Sequence, residues 1–319
     1  MKVLLIPDRK SKYAIPPLMK LSTYHKSQGD EVGWHIPDPE RIYVSLIFTE
    51  SSHQADGLQF YYPDAEIIVG GSGYDHSSKL PPNIEHLKPD YSLYPDIDYS
   101  IGWTTRGCIR DCEFCIVREK EGRLKIHQHP LEFHDDKFKK IKLLDNNILG
   151  LKDWFFEVTD WLIQEDLQVE FNQGLDIRLL DSEIAERLNE LKCDSGSPFK
   201  FAWDNMEDEK AVKRGISNLK DVGIDIKRKV QVYVLTNYNT THKEDLYRCN
   251  ELKRLGTNPF VMQYEGGGQF TRYLSRWANR KWLFWSIDFR DYDRLPLSIK
   301  EEVKRMELEK YADKVSELR

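Results

Sequence analysis

The chain of 319 residues carries 47 Lys plus Arg against 53 Asp plus Glu, a net charge of −6, 40% hydrophobic residues and five cysteines. A chain this long can bury a large core without disulfides or a structural metal, and its mildly acidic balance excludes a general affinity for phosphate backbones, though not a local basic face. The opening MKVLLIPDRK holds an apolar run that Pro7 and the charges behind it cut short, so neither an exported leader nor a membrane span is expected.

Short apolar runs alternate with amphipathic stretches, the pattern of an α/β fold built from βα units around parallel strands. Residues 3–6, 42–47 and 67–69 are expected as strands, with helical turns around 17–26 and 54–61, giving a small Rossmann-like α/β domain over residues 1–95. Residues 81–98 contain Pro81, Pro82, Pro89 and Pro95 and are expected as an extended connector. Strands follow at 100–105, 141–144, 168–172, 199–203, 230–235 and 259–263, with helices at 153–164, 182–192, 207–222 and 243–255. Six repeats are too few for an eight-stranded closed barrel. They predict a partial (β/α)6 TIM-like barrel over residues 96–268, followed by a C-terminal helical and aromatic extension over 269–319 that packs against it.

Three of the cysteines, Cys108, Cys112 and Cys115, fall within eight positions, while Cys193 and Cys249 stand alone. This is a cluster and two singles, not a disulfide framework, and a reducing cytoplasmic location is expected. Thiolates spaced x3 and then x2 on a tight loop after a strand can ligate three irons of a [4Fe-4S] cluster and leave the fourth iron open. The plainer reading is structural zinc, with His127 or His129 completing a tetrahedron.

The segment Gly107-Cys108-Ile109-Arg110-Asp111-Cys112-Glu113-Phe114-Cys115, with an aromatic residue before its last cysteine, resembles the signature of the radical S-adenosylmethionine superfamily. The resemblance covers roughly residues 100–268 and implies reductive cleavage of S-adenosylmethionine (SAM) at the cluster. The 5′-deoxyadenosyl radical so formed abstracts hydrogen from a substrate. It also implies a reductant such as flavodoxin or ferredoxin as partner, a substrate that is a small molecule or a nucleoside or nucleic acid, and no membrane partner. In the family a polar element after the second strand binds the methionine ammonium. Here the chain departs from the usual glycine-rich form, and Asp145, Asn146 and Asn147 stand in that place. An arginine binds the methionine carboxylate in similar enzymes, a role that falls to Arg178, with an ion pair to Asp176 or Asp181 as the plainer reading. Asp204 and Asn205, Thr236 and Asn237, and Gln263, Tyr264 and Glu265 follow later strands as candidate pocket residues, and Gly267 lies in a glycine run that suits close approach to adenosine.

The first block resembles a shortened cobalamin-binding domain, with Gly70, Gly71 and Gly73 leading into the proline-rich connector. The DxHxxG histidine of such domains is missing, since Asp8-Arg9-Lys10 follows the first strand, and a structural cover for the barrel is the favoured reading over cobalamin. In the tail, Arg272, Arg276 and Arg280 recur at helical spacing beside Tyr273, Trp277, Lys281, Trp282 and Trp285, a pattern of nucleic-acid contact or of helix packing. Two cysteines outside the cluster are too few to ligate a second one, which limits the chain to a single cluster. The competing reading from another class is a zinc-stabilised, non-catalytic nucleic-acid-binding protein.

Overall fold

The computed structural model describes residues 1–193 and 198–317, with side chains described as far as residue 308. The first apolar run forms β1 (Lys2–Pro7). It pairs in parallel with β2 (Glu31–Gly33) and β3 (Arg41–Ser45), and β3 pairs with β4 (Glu66–Gly70), giving the order β2-β1-β3-β4. Pro16 and Pro17 pre-set the backbone at the start of α1 (Pro16–Ser27), which buries Leu18, Met19 and Leu21 against this sheet. A short α2 (Leu58–Tyr61) precedes β4.

The proline-rich stretch does more than connect. It forms α3 (Pro82–Glu85) and a 3-10 turn over Tyr91–Leu93, and Ile84, Tyr91 and Leu93 are buried in one core with Val3, Leu5 and Leu18 on one side and Ile101, Phe138 and Leu144 on the other. The Tyr91 hydroxyl donates to the Phe133 carbonyl at 2.6 Å and accepts from the Ile101 amide at 3.1 Å. Aromatic and aliphatic burial, at roughly 1.5–3 kcal/mol per side chain, outweighs the solvent preference of the prolines and acids around it.

Next come β5 (Ser100–Gly102), β6 (Thr105–Arg106), α4 (Val117–Glu121), β7 (Lys125–Ile126), α5 (Pro130–Phe133), β8 (Lys140–Leu143), α6 (Lys152–Gln164) and β9 (Gln168–Phe171). Strands β5, β8 and β9 form a parallel ladder, with Ser100 opposite Ile141 and Ile141 opposite Val169. The strand expected over 100–105 divides. Its parallel part ends at Gly102, where a Cβ would meet the Phe133 ring at 2.6 Å, and Thr105 and Arg106 pair antiparallel with β7.

From Gly174 the elements are α7 (Ser182–Glu190), β10 (Lys192–Cys193), β11 (Phe199–Ala202), α8 (Glu209–Asp221), α9 (Ile226–Lys229), β12 (Val230–Thr236), α10 (His242–Leu255), β13 (Asn258–Gln263), α11 (Gln269–Ala278), α12 (Lys281–Ser286) and α13 (Leu297–Glu317). Strands β11, β12 and β13 are parallel, with Phe199 opposite Val230 and Val232 opposite Pro259. A capping box between Thr241 and Glu244 starts α10, and Gly256 in the left-handed region ends it.

The chain divides into two compact units, Met1–Gln173 and Gly174–Arg319. Each is a mixed α/β arrangement with parallel strands. Among the described residues no helix is long and apolar enough to cross a membrane.

Candidate metal centre

The cysteine loop leaves β6 through Gly107, whose φ of +81° suits glycine and whose missing Cβ lets the Arg123 carbonyl approach. The Cys108 amide donates to the Gly122 carbonyl at 3.3 Å, and the Cys115 amide to the Cys112 carbonyl at 2.9 Å, so the segment turns back on itself before α4. Cys108, Cys112 and Cys115 are half-buried and in no disulfide, and Phe114 between them is half-buried as well. The Cys108 sulfur accepts from the Arg110 amide at 3.3 Å and from the Asn147 side-chain amide at 3.5 Å. Burial pushes the Cys249 thiol up to about 12 and the half-buried Cys193 thiol up to about 11.

The end of β8 meets this loop. Asp145 is 3% exposed, and its Oδ1 accepts from the Thr104 amide at 3.0 Å, the Thr104 hydroxyl at 2.7 Å, the Thr105 hydroxyl at 2.6 Å and the Thr105 amide. Its Oδ2 is buried without a hydrogen-bond partner among the described residues, and burial raises the carboxyl above its usual range despite the four donors on the other oxygen. Asn146 and Asn147 turn their amides elsewhere: Asn146 donates to Glu121 at 2.9 Å, and Asn147 donates to Cys108. The three residues expected to share one role therefore divide it. One presents an open oxygen, one ties down the loop, and one donates to the Cys108 sulfur.

Glu121 is a residue of this loop that sequence reasoning missed. Its Oε2 accepts the Gly107 amide at 3.0 Å as well as Asn146, and its Oε1 accepts from Arg106 at 3.1 Å, so a single carboxylate fastens both ends of the loop to β8. Arg106 stacks 3.8 Å from the Trp103 ring centroid and donates to Glu85 at 2.7 Å. Burial alone would raise the Glu85 carboxyl, but His127 at 3.3 Å, Lys20 at 3.8 Å and Arg106 hold it down at about 2. Lys20 is itself 1% exposed, and burial lowers its ammonium to about 8 against the pull of Glu85. Nothing local marks these residues. Glu121 closes a charged run, Val-Arg-Glu-Lys-Glu, that reads as a solvated helix.

His127 is thus engaged with Glu85 and stacks on His86, with ring centroids 4.7 Å apart, while His129 caps α5 by accepting from the Leu131 amide. Among the described residues no three His, Cys, Asp or Glu side chains gather closely enough to hold one metal ion.

In the second unit Arg178 pairs with Asp176 at 2.7 Å and Asp208 at 3.2 Å, while Asp181 caps α7. The ion pair named as the plainer reading is present. Asp204, raised above its usual range by burial, accepts from the Leu235 amide at 3.2 Å, and Asn237 donates to the Glu265 carbonyl at 3.0 Å. The ends of β11, β12 and β13 are thereby drawn together as expected of parallel neighbours. Gln263 donates to Ser275 at 2.9 Å, and a Cβ on Gly267 would meet Gln263 at 2.8 Å, so this glycine accommodates its own strand end. Beneath this edge lies Arg248, fully buried with Asp245. It donates to the carbonyls of Trp203, Asp204 at 2.9 Å and Leu235 at 2.7 Å, and to Asp245 at 2.6 Å.

In the first sheet Asp8 closes the edge where the cobalamin-type histidine would follow. It accepts from the Ile47 amide at 2.8 Å, the Phe48 amide at 2.9 Å and the Ser51 hydroxyl at 2.7 Å. Gly71 and Gly73 let their loop lie directly on the backbone of Leu46 and Phe48, which accounts for the glycine run by packing. No protein-family model matches the sequence, and a search of curated proteins finds no match.

Proposed function

We propose that the chain is a radical S-adenosylmethionine enzyme whose [4Fe-4S] cluster is held by Cys108, Cys112 and Cys115. The observation that carries the reading is the meeting of a three-thiol loop with the open, buried oxygen of Asp145, linked through Thr104, Thr105 and Asn147. When bound, the cluster supplies the electron that cleaves the sulfonium of SAM.

The chain's own residues do the rest. Asn147 and the Arg110 amide donate to the Cys108 sulfur and orient it. Asp145 offers Oδ2 to the methionine ammonium, which would supply the partner that the oxygen lacks. Glu121 holds the loop in register with β8. Phe114 is proposed to shield the loop. The first sheet is proposed as a structural element, without cobalamin. A flavodoxin or ferredoxin is the proposed reductant, acting in the cytoplasm.

Anaerobic reconstitution of the full chain should yield about four irons per chain. Reduction with SAM should then release 5′-deoxyadenosine. An intact cluster without cleavage defeats the proposal, and one zinc per chain in place of iron defeats the cluster itself.

A further inference from the structure

Several cations in the second unit are matched by carboxylates: Arg178 pairs with Asp176, Lys213 with Glu209 and Glu251, Arg248 with Asp245, Arg254 with Glu251 and Lys253 with Asp288. One surface instead sets unmatched cations beside an exposed indole. Among the described residues Lys227, Arg228, Arg280 and Lys281 are exposed and form no ion pair. Asp225, the acid nearest in sequence, is used as the N-cap of α9 and accepts the Arg228 amide at 3.1 Å.

These cations lie far apart in the chain, and Asn258 joins them. It donates to the Lys227 carbonyl at 2.6 Å and accepts from the Trp285 indole at 2.9 Å, which sets α9 beside α12. The Lys227 ammonium then lies 4.3 Å from the Trp285 ring centroid. On α12, Lys281 and Trp282 share the face of Trp285 by i, i+4 and i, i+3 spacing. Trp282 is 69% exposed, although most large aromatic rings around it are in the core: Trp277 and Phe284 are fully buried.

We propose that this surface binds single-stranded nucleic acid, with Lys227, Arg228, Arg280 and Lys281 on the phosphates and Trp282 stacked on a base. Unpaired cations in a chain of net charge −6 retain a local positive field that acid-matched cations lose. An exposed indole among them supplies a sequence-tolerant platform for a base. The inference stands apart from the cysteine loop, since it uses residues of the second unit only.

The test is fluorescence anisotropy of the full chain with a labelled 20-nucleotide oligo(dT) and its oligo(U) counterpart across a salt series. Binding should weaken steeply with salt, because phosphate contacts release counterions. The double variant Lys227→Glu and Lys281→Glu should lower affinity at least ~10-fold and flatten the salt slope. Trp282→Ala should cost roughly tenfold while leaving the slope unchanged, as loss of stacking does. Circular dichroism melting of each variant should match the parent chain. Absence of binding at low salt overturns the proposal. So does an equal loss in the control Lys137→Glu and Lys139→Glu, whose exposed lysines lie in the first unit. Capture by anionic vesicles with no oligonucleotide binding overturns it as well.

Discussion

The ends of β8 and of β11 and β12 both carry a buried aspartate, Asp145 and Asp204, yet the two are treated differently. Asp145 is held by neutral donors from Thr104 and Thr105 on one oxygen, and its other oxygen has no hydrogen-bond partner among the described residues. The Asp204 edge rests on Arg248, which ties its carbonyl to those of Trp203 and Leu235. One edge is left with unspent acceptor capacity beside the cysteine loop, and the other is closed by a buried cation and its own aspartate. A site able to take a cationic ligand requires the first arrangement, and a rigid strand edge requires the second.

Four variants test this contrast and the groups around it. Cys112→Ala should abolish iron binding and 5′-deoxyadenosine release altogether; iron content and product retained at parental levels would show that the loop is not the site. Arg248→Met leaves Asp245 buried and unpaired, and should destabilise the second unit by about 3–5 kcal/mol in urea unfolding. A change below 1 kcal/mol would show that the edge does not depend on it. Glu121→Ala strands the Gly107 amide and Asn146 and removes one of the two carboxylate partners of Arg106, at a cost of about 1–3 kcal/mol. Its distinctive readout is faster iron loss to a chelator than in the parent chain, whereas unchanged retention would remove Glu121 from the role of clamp.

The smallest effect concerns pH. The Glu85 carboxyl is held at about 2 in the folded chain against an ordinary 4.5, so the stability it contributes is present above pH 4.5 and declines as pH falls toward 2. Glu85→Gln should remove that part of the acid dependence, on the order of 2 kcal/mol between pH 6 and 3. Parallel unfolding curves for both chains across the window would refute it.

Much of the fold was legible because it is written in local periods. The helix expected at 153–164 appears as Lys152–Gln164, and the strand expected at 259–263 as Asn258–Gln263, since apolar spacing within a dozen residues encodes both. The break after Gly102 was not legible. It depends on the Phe133 ring and on Asp145, 41 residues from Thr104. Arg178 shows the same limit from the other side, because the spacing that suggested a carboxylate ligand equally permitted its pairing with Asp176 and could not reveal Asp208.

The three-thiol spacing and the alternation of strands and helices were settled by residues close in the chain, whose geometry covalent connectivity already restricts. Tertiary structure alone decided that Glu121 fastens the loop, that one oxygen of Asp145 stays open, that Arg248 underlies the edge of β11 and β12, and that Lys227 meets Trp285. Each of those joins polar groups distant in sequence. Polar side chains carry no periodic signal of their partners, and only burial makes leaving them unpaired costly enough to specify which ones meet.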